Sequence, residues 1–381
     1  MITDNIFLLH ATGLFLGLIA GFFMHRSDYC VAGMFRDALL FGNTFMLRVL
    51  FFQIIVTMVM FEIARLSGFL PLYPFPLLGF PSLANIAGGF LFGIGMVLAG
   101  GCVVGTLYKM GAGNMLSLTA FVGLLVGSGI YAEIHPWWSS LAKATSLSHT
   151  AKTLPQLAGI APTPLIIAIS VPAILGLIRS RKQNPWHRPW SVAGYIEPWK
   201  TALVMAVVGL LSYLLMGMPL GITTTYAKMS AMIENIFVPE HVSRLDFFHL
   251  LSLNVTHPAT GAILQGGAGP RFDAIWAIQF PVIAGIVFGS MLSSFLLHEF
   301  SLHVKVPFAQ YVMALGGGIM LGMASRMAPA CNIWHLMGGL PILALQSILF
   351  LAGLVPGCWF GGKIISRVIL RQSVSPSGNV P

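Results

Sequence analysis

Long apolar runs dominate this sequence and decide what the chain can fold into. With 56% hydrophobic and only 8% charged residues, the chain is excluded from the class of water-soluble globules. The runs are near or somewhat under the roughly 20 residues that a helix needs to cross a bilayer, and the shorter ones are often broken by glycine. We predict an all-α polytopic membrane protein with about nine transmembrane helices plus membrane-buried half-helices. The eight runs are 6–24, 47–64, 86–99, 116–132, 164–178, 202–216, 275–297 and 340–360.

The basic residues predict how the chain is oriented in the membrane. Clusters of lysine and arginine beside apolar spans are typical of cytoplasmic loops. The first seven residues contain Asp4 and no basic residue, so we expect a periplasmic N-terminus, a cytoplasmic C-terminus and an odd number of crossings. The net charge of +9 therefore reflects the orientation of the chain in the membrane. We expect membrane lipids as partners and no nucleic-acid partner. The clusters are Arg179, Arg181, Lys182, Arg188 and Lys200, then Lys363, Arg367 and Arg371.

One pattern of glycines followed by a cysteine occurs once in each half of the chain. Gly88 leads through a glycine-rich apolar stretch to Cys102, and Gly317 leads to Cys331 with the same spacing of fourteen residues. Such a recurrence indicates a duplicated membrane fold, an inverted repeat, with its site where the halves meet. We therefore divide the chain into a first membrane half (1–178), a basic cytoplasmic linker (179–199), a second membrane half (200–370) and a disordered cytoplasmic tail (371–381).

The glycine-rich breaks predict half-helices that begin inside the membrane. Gly100 and Gly101 directly precede Cys102, where a helix can unwind and restart. The N-terminus of a half-helix directs free N–H groups and a positive dipole end into the membrane, which suits an anion. We predict such starts at three cysteines and, by a weaker match, at a threonine pair: Cys30, Cys102, Cys331, and Thr223 with Thr224.

The four cysteines are predicted to be individual buried thiols. They form no C-x-x-C pair and no zinc spacing, so we expect no disulfide framework, no metal and no cofactor. Desolvation penalises a thiolate, and a neutral thiol is a weak S–H donor to a soft acceptor. A series of weak sites suits passage better than tight capture. The alternative for each cysteine is a small core residue, and we keep that interpretation for Cys358.

Polar residues near Cys331 are further candidates for the substrate path. Arg326 lies within an apolar segment, where an arginine is costly and a functional candidate. Asn332 and His335 follow Cys331 and are assigned to the path with it. A Cys/His metal site is conceivable, but only two ligands are close together in the sequence.

Three charged residues in the first half are assigned to structural support. Arg36 and Asp37 are adjacent and are predicted to form a neutralised pair that holds the half-helix after Cys30. Lys109 either helps to attract an anion or extends to the membrane interface.

Several segments together resemble the YeeE/YedE family of bacterial inner-membrane sulfur-compound transporters, over nearly the whole chain. They are 21–37 with GFFMHRSDYC, 88–113, 221–223 and 317–331. The resemblance implies an hourglass of two pseudo-symmetric halves, with re-entrant loops and short helices meeting at a central waist. It also implies that Cys30, Cys102 and Cys331 relay thiosulfate through S–H···S hydrogen bonds, and that a separate TusA-like sulfur-carrier protein is a partner. Pro329-Ala330-Cys331 departs from the expected Gly-Gly-Cys.

The sequence and the resemblance together predict a permease rather than an enzyme. We expect it to import a small sulfur-containing anion, thiosulfate in the first instance, across the bacterial inner membrane. The alternatives are a carrier of a selenium or another sulfur compound, and a membrane thiol oxidoreductase, which the lack of a C-x-x-C pair disfavours. The sequence has no G-x-x-x-x-G-K-[ST] pattern, so ATP hydrolysis by this chain is unsupported.

Overall fold

The computed structural model describes residues 2–70, 72–183, 186, 193–257 and 261–374. Within them the chain forms helices α1 Ile2–Ser27, α2 Val31–Phe41, α3 Phe45–Leu66, α4 Leu83–Leu98, α5 Val103–Gly111, α6 Met115–Ala144, α7 Leu154–Ala158, α8 Pro162–Gln183, α9 Pro198–Met216, α10 Thr223–Phe237, α11 Pro239–Val242, α12 Asp246–His249, α13 Ala274–Leu296, α14 Phe308–Met327 and α15 Leu345–Val374. A π-helical segment, Trp334–Gly339, and a 3₁₀ turn, Leu340–Ile342, precede α15. Strands β1 Leu253–Thr256 and β2 Ile263–Gly266 form an antiparallel hairpin before α13.

Nine helical stretches of the described residues are long and apolar enough to cross a membrane, which confirms the predicted polytopic all-α fold. One of them, α14, is missing from the eight apolar runs of the sequence, because its glycines and Arg326 make it the least apolar of the nine. The run at 340–360 is also corrected: its first residues form the 3₁₀ turn, and α15 begins only at Leu345.

Glycine stripes hold three pairs of parallel helices together. Gly13 of α1 lies against Ile278 of α13, and a Cβ on Gly21 would come 2.1 Å from the carbonyl oxygen of Ile286. Helix α4 lies on α15, and α6 lies on α14, with the same close backbone approach at Gly89 and at Gly127. Small residues at this spacing let membrane helices meet backbone to backbone. The glycines therefore act in helix packing.

The contacts between helices come in corresponding sets. The pair of α1 and α13 corresponds to the pair of α9 and α3. The pair of α4 and α15 corresponds to the pair of α14 and α6. Helix α2 contacts α3 and α15, and α10 contacts α13 and α6 in the equivalent way. An inverted repeat produces this arrangement of contacts. The division of the chain at residues 178 and 200 stays a prediction.

The bundle has two distinguishable ends, and we call the one with the basic linker the basic face. Arg26, at the end of α1, donates a 2.7 Å hydrogen bond to the carbonyl of Gly194, and Arg48 of α3 donates to Ser180 of α8. Helices α1, α4, α8, α13 and α15 run toward this face, and α3, α6, α9 and α14 run away from it. The described basic residues at this face include Arg26, Arg36, Arg48, Lys109, Arg179, Arg181, Lys200, Lys305, Lys363 and Arg367.

The linker and the tail are only partly described. Residues 184–185 and 187–192 of the predicted linker lie outside the described residues, as do residues 375–381 of the predicted disordered tail. Helix α15 continues to Val374, so the first four residues of the predicted tail are helical.

Candidate functional site

Four short helical segments begin near the middle of the bundle and point their N-termini toward one another. Cys30 is the N-cap residue of α2, and Cys102 is that of α5; both half-helices run toward the basic face. Helix α10 begins at Thr223, and the turn leading into the π-helical segment begins after Cys331; both run toward the opposite face. Each of the three predicted cysteines therefore lies at the start of a half-helix, where partial positive charge is concentrated.

The break between α4 and α5 follows directly from the glycine pair. Gly100 adopts a φ of +69°, the left-handed conformation that favours glycine. The N–H of Gly101 donates to the carbonyl of Met96 (3.1 Å), and the N–H of Gly100 donates to that of Val97 (3.2 Å), which closes the end of α4. Lys109 then donates a 2.7 Å hydrogen bond to the carbonyl of Gly100. In this structure Lys109 supports the break.

The thiols of Cys30 and Cys102 lie together over the first turn of α5. The Cys102 sulfur accepts a 3.2 Å hydrogen bond from the N–H of Gly105, and the two thiols are in hydrogen-bonding contact. A Cβ on Gly105 would come 3.1 Å from the Cys30 Sγ and 3.3 Å from the Cys102 Sγ. A side chain at position 105 would therefore press on both sulfur atoms.

Asn332 and Cys331 continue this line of side chains across the centre of the bundle. The carboxamide of Asn332 lies against the Cys102 thiol, and the Cys331 thiol lies against the N–H groups of Ile333 and Trp334. Cys102, Cys331 and Asn332 are fully buried. We call the group of Cys30, Cys102, Asn332 and Cys331 the waist. Its three thiols are free, and so is Cys358, which packs in α15 against α4.

A cavity of about 190 Å³ leads from the face opposite the basic face toward the waist. At its floor, Arg326 donates to the hydroxyl of Thr224 (3.1 Å) and to that of Thr223. Among the described residues the guanidinium forms no ion pair with a carboxylate, and the titratable groups near it are Tyr131 and Cys331. We call this cavity the vestibule; its lining includes Tyr131, His135, Thr223, Thr224, Phe247, Arg326, Ala330 and Trp334. An uncompensated cation at its floor favours an anionic occupant.

Three other predicted residues lie away from the line of thiols. His335 is fully buried behind Cys331, where its Nδ1 is 2.9 Å from the Ser347 hydroxyl and its ring stacks on Phe350. Arg36 and Asp37 pair with each other at 2.8 Å on α2, partly exposed toward the basic face. The contact between Arg36 and Asp37 neutralises charge locally, and the role of His335 in the substrate path stays a prediction.

Two further residues of α10 were not assigned to the site from the sequence. Tyr226 is fully buried and lies close enough to Cys102 and Cys331 to interact electrostatically with both thiols. Lys228 donates to the carbonyls of Gly269 and Arg271 and to the Asp273 carboxylate, at 2.7 to 2.8 Å. Lys228 therefore anchors α10 to the loop before α13. The sequence feature that could have identified Tyr226 is its position in the first turn of α10, just after Thr223 and Thr224.

A third group of polar side chains lies at the face opposite the basic face. The Nε2 atom of His241 is 2.6 Å from Glu133 and 3.3 Å from Glu234, so α6, α10 and α11 are joined there. Burial raises the pKa of Glu234; His241 opposes that rise, and Glu133 adds to it. Exposed acidic groups are common without a metal, and the contacts of His241 with both carboxylates already join these three residues.

The break before Cys331 contains a strained residue and a testable consequence. Ala330 has a φ of +137°, a conformation that costs an alanine about 1–3 kcal/mol. We expect Ala330→Gly to raise the free energy of unfolding by about 1 kcal/mol, after the greater chain entropy of glycine is allowed for. Thermal unfolding of the purified protein in detergent measures this. Ala328→Gly is the control, because Ala328 has an ordinary φ of −106° and should only lose stability. An Ala330→Gly protein that melts no higher than the parent contradicts the assignment of strain.

Comparison with known proteins gives a consistent result. The profile of the family described as "Sulphur transport" matches residues 26–360. The chain is 28% identical over 366 residues to the thiosulfate transporter TsuA of Spirochaeta thermophila, covering 93% of this chain and 99% of that protein. It is 24% identical to the thiosulfate transporter TsuA of Escherichia coli K12, covering 93% and 94%. A shorter match, 27% identical over 42% of this chain and 39% of the relative, is to the probable transporter YedE of Salmonella typhimurium. The chain therefore belongs to the sulphur transport family of multi-pass membrane proteins, which are transporters and not enzymes.

Proposed function

We propose that this protein is an inner-membrane permease that imports thiosulfate, passed between neutral thiols at the waist. The observation that carries the proposal is the line formed by Cys30, Cys102, Asn332 and Cys331 at the N-termini of opposed half-helices. The two relatives named thiosulfate transporters align over 93% of the chain, and this favours thiosulfate over other sulfur anions.

The chemistry of the waist suits such a substrate. Thiosulfate is a divalent anion with a soft terminal sulfur, to which a thiol can donate a weak S–H hydrogen bond. Beyond Arg326 at the floor of the vestibule, the half-helix N-termini supply only partial positive charge, so the anion is attracted to the thiols without being held tightly. Because the Cys30 and Cys102 thiols touch, a guest can contact the second before it leaves the first.

The charges support a direction of transport. We propose that the basic face is cytoplasmic, because lysine and arginine concentrate there. The N-terminus is then periplasmic and the C-terminus cytoplasmic, and the vestibule opens to the periplasm. The anion would meet Arg326 first, then Cys331, Cys102 and Cys30 in turn. A TusA-like sulfur carrier, if it is the partner, would meet the anion at the basic face.

We further propose that residues 1–178 and 200–370 are pseudo-symmetric halves joined by the basic linker. The corresponding helix contacts support this division, as does the matched spacing from Gly88 to Cys102 and from Gly317 to Cys331. In this arrangement each half contributes two half-helices to the waist.

The proposal is tested by uptake of ³⁵S-thiosulfate into proteoliposomes that contain the purified protein under reducing conditions. We expect saturable uptake above that of empty liposomes, with little inhibition by a tenfold excess of sulfate, which lacks a soft terminal sulfur. Uptake no faster than in empty liposomes contradicts the proposal. Stronger inhibition by a selenium oxyanion than by unlabelled thiosulfate identifies the selenium carrier instead.

A further inference from the structure

The proposed thiosulfate substrate has two chemically different ends, and the thiols match only one of them. Thiols suit the terminal sulfur, whereas the three oxygen atoms are hard acceptors that pair best with O–H and N–H donors. If the proposed function holds, a donor set for those oxygens must lie within reach of the thiols. At or beside the waist, two buried side chains carry polar atoms without a hydrogen-bond partner among the described residues.

The first candidate is Tyr226, in the first turn of α10. Its side chain is fully buried, and its ring packs edge-to-face on Phe121 with the centroids 5.5 Å apart. Its hydroxyl has no hydrogen-bond partner within the described part of the chain. It lies close to the thiols of both Cys102 and Cys331. A buried tyrosine hydroxyl normally finds a partner, so this one points to an occupant of the space between the thiols.

The second candidate is Asn332, which belongs to the opposed half-helix. It is fully buried, and apart from lying against the Cys102 thiol its carboxamide nitrogen and oxygen have no partner among the described residues. Asn332 and Tyr226 thus both lie near the Cys102 thiol, although they belong to two different half-helices. Buried polar groups left in this state are costly, and an anion or a water molecule would satisfy both of them.

We propose that Tyr226 and Asn332 form an oxyanion subsite of the waist, which selects anions that carry both a terminal sulfur and S–O oxygens. The tyrosine O–H and the asparagine N–H donate to the oxygens while Cys102 and Cys331 contact the terminal sulfur. The thiols alone cannot discriminate between thiosulfate and a soft anion without oxygen, such as thiocyanate; the subsite supplies that discrimination. This inference rests on the proposed function for the identity of its ligand.

The test compares two anions in the uptake assay. Tyr226→Phe removes one oxygen atom and keeps the ring on Phe121, and Asn332→Leu keeps the shape of the side chain. For each variant we expect the efficiency of thiosulfate uptake to fall about tenfold, as for the loss of one hydrogen bond to a charged group. The inhibition constant of thiocyanate against thiosulfate uptake should change less than twofold. Tyr213→Phe is the matched control, since it removes a buried tyrosine hydroxyl whose partner is the carbonyl of Leu72.

Two results would overturn the subsite. One is an unchanged efficiency of thiosulfate uptake in both variants; the other is an equal weakening of thiosulfate and thiocyanate, which indicates a general disturbance of packing. A parent protein that takes up no thiosulfate contradicts the proposed function instead. In that case, stabilisation of the detergent-solubilised protein by thiosulfate, measured for the parent and for Tyr226→Phe, tests the subsite alone: equal stabilisation of the two overturns it.

Discussion

Cys102→Ala should lower the initial rate of thiosulfate uptake about 100-fold, a rise in the barrier of about 2.7 kcal/mol, because the anion would have to pass between Cys331 and Cys30 without the thiol that lies between them. Cys102 is the central member of the waist: its sulfur contacts the Cys30 thiol on one side and the Asn332 carboxamide on the other. Its removal interrupts the line of thiols at both contacts. Uptake of ³⁵S-thiosulfate by proteoliposomes, normalised to the amount of reconstituted protein, measures the effect.

A serine at position 102 separates the two roles of this thiol. The Cys102 sulfur also caps α5 by accepting the Gly105 N–H, and serine is a good N-cap residue. If the thiol only caps the half-helix, Cys102→Ser restores full uptake and the relay is refuted. If sulfur chemistry matters, the serine protein keeps the thermal stability of the parent but stays far below its rate. Cys358→Ala is the matched control, because it removes an equally buried thiol outside the waist and should leave uptake unchanged.

Arg326→Gln should also lower uptake about 100-fold, mainly through a higher KM, because it removes the cation at the floor of the vestibule. Hydrogen bonds from a guanidinium to an oxyanion are worth about 1.5–3 kcal/mol each, and the loss of about 3 kcal/mol corresponds to roughly two orders of magnitude. Glutamine can still donate to Thr223 or Thr224, so the contact between α14 and α10 is partly kept. The dependence of uptake rate on thiosulfate concentration separates the change in KM from a change in maximal rate.

Two further variants make the arginine result specific. Arg326→Lys keeps the charge but loses the planar fork that reaches both threonines, and an intermediate KM is expected. Arg244→Gln removes an exposed arginine from the same face of the bundle, where it pairs with Glu240 at 3.9 Å, and should change KM little. A KM for Arg326→Gln equal to that of the parent would show that the vestibule does not recruit the anion through this residue.

Hydropathy and glycine spacing predicted most of the fold, and the exceptions have a common cause. A membrane helix that faces other protein can carry polar and small residues, because its neighbours rather than lipid surround them. Helix α14 packs between α4 and α6, with Gly318 on Ala120, and it carries Arg326. Its composition therefore falls below that of a lipid-facing span, and the apolar runs alone did not reveal it.

For the candidate site too, features set by neighbouring residues could be predicted from the sequence, whereas features set by the tertiary fold could not. The starts of the half-helices at Cys30 and Cys102 followed from nearby glycines and polar residues, which act within a few positions of the chain. The proximity of Asn332 to Cys102 and of Tyr226 to both thiols depends on how four separate breaks meet. No local pattern contains that information, so Tyr226 was not identified from the sequence, and the assignment of His335, which stacks on Phe350, to the substrate path stays a prediction.

The close backbone contacts at the glycine stripes limit how this transporter can move. Each of the three parallel pairs, α1 with α13, α4 with α15 and α6 with α14, joins a helix that precedes the basic linker to one that follows it. At Gly127, for example, even a methyl group would meet the carbonyl oxygen of Ile319 at 2.0 Å. Rocking one half of the chain against the other as a rigid body would separate the contacting backbones of all three helix pairs at once. If the substrate passes through small rearrangements of the half-helices alone, these backbone contacts stay intact.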